Sequence, residues 1–254
     1  MTLRWRKLGN VFPAAPLPEP LVSHAAVPVA EEQGDRRIRV YFSARDVQQR
    51  SHVLYVDVDL RDPGRAVAPS EQPVLCPGRL GCFDDSGVMG SCLVTRGQDK
   101  YLYYVGWNLG RTVPFRNAVG MARWDETEGR FVRCFEGPLV DRTRSEPHFT
   151  GSCHVMREGA RYRMWYLSCT GWELRDGEPF HRYHIKYAES EDGVDWIRNG
   201  LVSVDYRDEH EYALSVPRVL RDGDVYKIWY SRRAGEHAST YRIGYGESDD
   251  GIRF

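Results

Sequence analysis

HFTGSCHVMR (148–157) is followed by a short polar turn and the aromatic run YRMWYLSC (162–169), and then, past a variable loop, by HIKYAESEDG (184–193). The same three-part phrase occurs three more times. LVSHAAVPVA (21–30), SGVMGSCLVT (86–95) and YALSVPRVLR (212–221) match the first run. IRVYFSAR (38–45), YLYYVGWN (101–108) and VYKIWYSR (225–232) match the second. HVLYVDVDL (52–60), NAVGMARWD (117–125) and YRIGYGESDDG (241–251) match the third. Aligned on Pro28, Cys92, Cys153 and Pro217, the copies lie 64, 61 and 64 residues apart. An internal period of this kind decides the fold before any local propensity is weighed.

Each run alternates or is continuously apolar over five to eight residues and is rich in Val, Ile, Tyr and Trp, between polar turns such as Arg96–Asp99 and Arg157–Ala160. That is the signature of strands, and no long stretch favours a helical period. FVRCFEGPLV (131–140) and DWIRNGLVSV (195–204) supply a fourth strand per unit. Four antiparallel strands repeated around an axis make a blade, so the expected fold is an all-β β-propeller occupying 1–254 as one domain. Its repeats run at about 20–82, 83–144, 145–207 and 208–254 plus 1–12. The last repeat stops at GIRF, and the opening RWRKLGNVF resembles a fourth strand, so the N-terminal strand is expected to complete the last blade and close the ring. Whether the ring has four blades or five stays open.

Bulk composition narrows the partners. A formal net charge of -1 gives no electrostatic case for nucleic acid or an anionic membrane. No apolar run approaches the ~20 residues of a membrane helix, and the N-terminus lacks the apolar core of a signal peptide. The six cysteines form no CxxC pair; they read as reduced, strand-packing thiols, which fits a cytoplasmic protein, although one bridge is compatible with the sequence. Without HxH or HExxH spacing no metal is expected, and no cofactor.

In an up-and-down blade the entry to the first strand and the loop between the second and third open on one face. The entries carry Asp84, Asp85, Glu146, Glu209 and Glu211 with His24, His148 and His210. Carboxylates from separate blades facing one another suit acid–base chemistry, and glycoside hydrolysis uses such a pair. These five are the candidate catalytic residues; the alternative is that they cap turns or pair with arginines. Trp107 and Trp172 can stack on a sugar or pack the rim, while Trp165 and Trp229, inside strands, read as core. Arg45, Arg232 and Arg233 can bind a carboxylate or phosphate through their planar forks, or form surface ion pairs. The candidate substrate-binding set is therefore His24, Arg45, Trp107, His148, Trp172, His210 and Arg232, with a small molecule or oligosaccharide as ligand.

The blade phrase resembles the five-bladed propeller glycosidases: the arabinanase and β-xylosidase group, the invertase and levansucrase group, and the β-mannoside phosphorylases. The likeness lies in an aromatic strand such as RYRMWYLS followed by IKYAESEDGVDW or RIGYGESDDGIRF, whose Ser-x-Asp-Gly turn precedes an aromatic. It implies three acids near the axis. By position the second-blade acid is Asp84 or Asp85 and the third-blade acid Glu146. The first blade departs from the pattern, offering Glu19, Ser23 and His24, and the Asn-Asp-Pro signature is absent. Glu209 or Glu211 then stands in as base, or phosphate serves as nucleophile, held by Arg45 with His24 or His148. The expected activity is cleavage or transfer of a glycosidic bond. The alternatives are sugar binding without catalysis, a protein-interaction scaffold, or other chemistry on a sugar-like metabolite.

Overall fold

The computed structural model describes residue 9 and residues 16–65, 68–235 and 240–254. The expected ring-closing strand at 1–12 lies outside them, apart from Gly9. Among the described residues there are fourteen strands and no helix.

The repeats fold as antiparallel sheet modules. Module I contains β1 (Leu21–Glu32), β2 (Arg37–Asp46) and β3 (Ser51–Asp59); module II contains β4 (Gly87–Arg96), β5 (Asp99–Leu109), β6 (Phe115–Asp125) and β7 (Arg130–Arg133). Module III contains β8 (Thr150–Glu158), β9 (Arg161–Arg175), β10 (Glu178–Ser190) and β11 (Val202–Val204); module IV contains β12 (Glu211–Asp222), β13 (Val225–Ala234) and β14 (Arg242–Ser248). A single parallel pairing, Ser51 with Gly87, joins modules I and II into one seven-stranded sheet. Tyr183 with Ala213 joins III and IV in the same way.

The expected fourth strands form, but broken in two. In module II, β7 pairs with the outer part of β6, and after an irregular stretch Val140 bridges back to Val119. In module III, Ile197 bridges Glu189 and β11 then pairs with β10. Gly137 and Gly200 fall in the two interruptions.

The cores lie between modules, as radial stacking of sheets requires. Val29, Tyr41 and Val53 of module I pack on Val88, Leu102 and Tyr104 of module II. Cys92, Tyr103 and Met121 meet Cys153, Met164 and Tyr166 across the next interface, and Trp165 and Ile185 meet Leu214 and Ile228 across the last. Each fully buried aromatic of this kind contributes about 1.5–3 kcal/mol relative to exposure.

The Ser-x-Asp-Gly turn is a joint in this stack. Asp192 accepts hydrogen bonds from the backbone N–H of Val194 and Asp195, and Gly193 takes φ 74°, a conformation costly for other residues. Its carbonyl, thus turned outward, accepts the Tyr103 hydroxyl of the preceding module at 2.7 Å. One module on, Gly251 at φ 69° accepts the Trp165 indole N–H at 2.8 Å. The Ser-x-Asp-Gly motif is therefore a fastener between neighbouring sheets.

Candidate functional site

Every inner strand (β1, β4, β8, β12) carries a bulge at the same point of the repeat. The register shifts at Ala26/Val29, Gly90/Cys92, Thr150/Cys153 and Ser215/Arg218. Bulges re-aim side chains and concentrate beside functional sites. Here they also lock the modules together around the axis. Ser91 donates its hydroxyl to the Cys153 carbonyl at 2.8 Å and accepts the Cys153 N–H at 2.6 Å. Ser152 accepts the Val216 N–H at 2.8 Å. Arg218 of β12 donates to the Pro217 carbonyl at 2.8 Å and to the Pro28 carbonyl of β1 at 3.2 Å, tying the last inner strand to the first. Val27 and Val216, each one residue before the aligned proline, sit at φ 49° and 50°. A β-branched residue there is strained by about 1–3 kcal/mol, and such strain collects at functional sites.

Above the bulges lies an axial cavity of about 210 Å³, walled by all four modules: Val27, Met89, Ser152 and Ser215 with its neighbour Val216 from the inner strands, and Phe115, Asn117, His181, Tyr183 and Tyr241 from the loop side. Ligand pockets for drug-sized molecules run to roughly 300–1,000 Å³, so this one suits a single small ring. Its wall is aromatic and uncharged. Asn117 and Ser215 make no side-chain hydrogen bond among the described residues, so both can serve a ligand.

His181 is the residue that sequence reasoning missed. Its ring packs against Trp172 (centroids 4.7 Å apart), Phe115 (5.4 Å) and Phe149 (5.7 Å), and stacks on Tyr183 (5.3 Å). Burial first, and the Arg233 charge second, push its pKa down to about 4. At neutral pH it is an uncharged imidazole, with one nitrogen to donate and one to accept. The Tyr183 and Tyr241 hydroxyls hydrogen-bond to each other, and the Arg233 guanidinium lies 4.1 Å above the Tyr241 ring. One layer down, His154 lies with Nδ1 3.8 Å from the Cys92 sulfur, its pKa lowered to about 3 by burial and then Arg218.

The acids expected at the axis do not line this cavity. Asp84 is fully buried, accepts the Tyr104 hydroxyl at 3.0 Å and Arg133 Nε at 2.8 Å, and thus binds the second strand of its own module to the fourth. Glu146 repeats the arrangement one module later: it accepts the Tyr166 hydroxyl at 3.0 Å, and Lys186 and Arg198 each at 3.2 Å. Glu211 is buried against Arg232 at 2.7 Å and accepts the Arg207 N–H at 2.8 Å, with Tyr230 in the place of Tyr104 and Tyr166. In module I the corresponding pair is apolar, Leu21 on Phe42. In modules II and III acid, tyrosine and cation together form a polar post from the second strand to the outer ones. In module IV Glu211 is held by Arg232 and the Arg207 N–H, with no bond to Tyr230 among the described residues.

The remaining candidates also lie apart. Asp85 accepts the Gly81 N–H, the Ser86 hydroxyl and the Asn108 amide; burial alone would raise its pKa, but these bonds outweigh it and lower it. Glu209 and His210 are exposed beside each other at 3.8 Å. His24 is exposed and its one side-chain hydrogen bond among the described residues is with Ser23, at 2.9 Å. His148 is half-buried one residue before Phe149. Trp107 donates its indole N–H to Ser51 at 2.8 Å at the junction of modules I and II, with Arg45 over its ring at 5.8 Å. Trp172 packs in the aromatic cluster behind the cavity wall, and Arg232 is held by Glu211. Among the described residues no three His, Cys, Asp or Glu side chains assemble as a metal site would.

A Mycobacterium tuberculosis (strain H37Rv) protein, "Uncharacterized protein Rv1502", is 38% identical over 250 residues, spanning 98% of this chain and 81% of its own length. The chain belongs to its family. The counterpart from strain CDC 1551, "Uncharacterized protein MT1551", matches over the same extent. No protein-family model matches. Among solved structures, BT0996 in an RGII complex superposes with TM-score 0.71 at 15% identity, over 95% of this protein and 75% of that one. An exo-1,5-α-L-arabinanase from a bovine ruminal metagenomic library gives 0.66 at 10% identity, over 93% and 80%. The Bombyx mori GH32 β-fructofuranosidase BmSUC1 gives 0.65 at 15% identity, over 89% and 47%. The chain therefore has the fold of these solved structures, as the sequence resemblance implied; at these identities the likeness speaks for fold alone.

Proposed function

We propose that the chain binds one sugar or sugar-like polyol in the axial cavity, by aromatic contact and uncharged hydrogen bonds, without the carboxylate pair of glycoside hydrolysis. The observation that carries this reading is the lining. Phe115, Phe149 and Tyr183 offer apolar faces to ring C–H groups, and Asn117, Ser215 and neutral His181 offer donors and acceptors to hydroxyls. Hydrolysis needs two carboxyl groups about 5–9.5 Å apart across the bond, whereas Asp84, Glu146 and Glu211 are each paired with an arginine of their own module and line no part of the axial cavity. Solved neighbours described as an arabinanase and a β-fructofuranosidase support sugars as the ligand class.

Titration calorimetry against a panel of pentoses and hexoses tests this. Asn117→Ala and Ser215→Ala should each weaken the best ligand roughly threefold to tenfold, the value of one hydrogen bond, with thermal stability unchanged. Affinities that ignore both substitutions refute the site. Release of aryl alcohol from aryl glycosides by purified wild type, lost in a folded Glu146→Gln protein, refutes the non-hydrolytic part.

A further inference from the structure

A second concavity adjoins the axial cavity and has the opposite character. It is a cleft of about 440 Å³ between the β5–β6 loop, the start of β6 and the linker at 141–142, and Asn117 lines both spaces. Three arginines, Arg111, Arg116 and Arg142, line it against one acid, Asp141. Asp141 is taken by Arg142 at 3.5 Å. Arg111 and Arg116 have no ion pair and no side-chain hydrogen bond among the described residues. Elsewhere on this surface Arg39, Arg61, Arg79 and Arg123 each meet a carboxylate, while Arg36, Arg65 and Arg144 are exposed without one among the described residues, none of them lining this cleft.

We infer that this cleft holds the anionic end of the ligand whose ring occupies the axial cavity, so that the ligand class is an acidic sugar bearing a phosphate monoester or a carboxylate. The inference rests on the sugar-binding reading above and narrows it. Guanidinium groups present planar forks of donors that fit the oxygens of either anion in pairs. Cations gathered on a concave wall also concentrate their field there, and draw anions in more effectively than the same charges spread on a convex surface. Asn117 stands at the boundary with its amide uncommitted, positioned to hold a hydroxyl between the ring and the anionic group. Solvated surface arginines would account for the charges singly. They do not account for two uncompensated ones lining a single cleft that shares Asn117 with the ring pocket.

The test is calorimetric titration of wild type and of Arg111→Ala/Arg116→Ala with matched neutral sugars, sugar phosphates, uronic acids and inorganic phosphate, at low and at physiological salt. Wild type should prefer a phosphorylated or carboxylated sugar to its neutral parent by about tenfold or more, and the preference should shrink as salt rises. The double variant should lose the preference while binding the neutral parent as before. The sugar phosphate and uronic acid arms tell which anion is read. If neutral sugars bind and the acidic forms bind no better, the cleft proposal falls and the sugar reading stands. If no sugar binds but inorganic phosphate binds wild type and not the variant, the anion site stands and the sugar reading falls. A variant that keeps the full preference overturns the assignment to these arginines.

Discussion

Replacing Glu146 by glutamine separates two roles for the carboxylates. The side chain is 3% exposed, and its partners Lys186 and Arg198 are 14% and 12% exposed, so water screens the group poorly. Glutamine keeps the shape and removes the charge, leaving an ammonium and a guanidinium sharing a buried site without a counter-ion, and turning one acceptor of the Tyr166 hydroxyl into a donor. Removing one partner of a buried ion pair costs about 3–5 kcal/mol. In a chain of this size each kcal/mol lowers Tm by roughly 2–4 °C, so Glu146→Gln should melt about 6–20 °C below wild type. Circular dichroism melts measure this directly. Lys186→Met added to Glu146→Gln should recover part of the loss, because it removes one stranded charge. A catalytic glutamate predicts the reverse: a Tm at or above wild type. A Glu146→Gln melt within about 1 °C of wild type refutes the polar post.

Two further outcomes follow from the same geometry. Tyr103→Phe deletes the hydroxyl that reaches the Gly193 carbonyl, so modules II and III should come apart more easily by about 0.5–1.5 kcal/mol plus the penalty of an unpaired buried carbonyl, read as a lower urea midpoint. His181 gives a pH signature: its folded pKa of about 4 lies below the usual 6.5, so above 6.5 it is neutral in both states. As pH falls from 6.5 to 4 only the unfolded chain takes up the proton, and stability declines across that window. His154, also depressed, acts in the same direction, so the slope should lessen, not vanish, in His181→Phe; an unaltered slope in denaturant titrations refutes the assignment.

How much of this was legible in the sequence depends on whether a feature is periodic. Strands repeat with period two and modules at about the same length, so both appear in a single chain, down to the fourth strands at 131–140 and 195–204. Most side chains in the linkers between modules follow no period. Asp84 and Asp85 are neighbours, yet one is sealed into an ion pair and the other caps a turn. The cavity lining escapes for a similar reason: Phe115, Asn117 and His181 stand near the starts of third strands, where loop length varies from module to module. A usable signal was present for the posts. Asp84, Glu146 and Glu211 each have a tyrosine at one fixed place in the following second strand, Tyr104, Tyr166 and Tyr230. Arg133 and Arg198 recur two residues after Phe131 and Trp196. The module lacking the acid also lacks the hydroxyl, having Leu21 and Phe42. In modules II and III the paired residues hold one another directly.

That covariation inside a single chain bears on function as well as stability. A carboxylate kept for chemistry must keep an oxygen free toward the ligand. Glu146 and Glu211 have both oxygens committed within their own modules. Asp84 is held through Oδ2 by Tyr104 and Arg133, its Oδ1 being buried with no partner among the described residues. Module I has a hydrocarbon contact at the corresponding place. The chemistry available at the axis then comes from what the bulges and loop ends project there: two serines, an asparagine and an imidazole kept neutral by burial. Val27 and Val216 stay strained on that wall, although glycine would relieve φ near 50°. Glycine would also remove the side chains that narrow the cavity to the width of one ring. Strain kept where shape is needed agrees with the recognition role proposed for the axis.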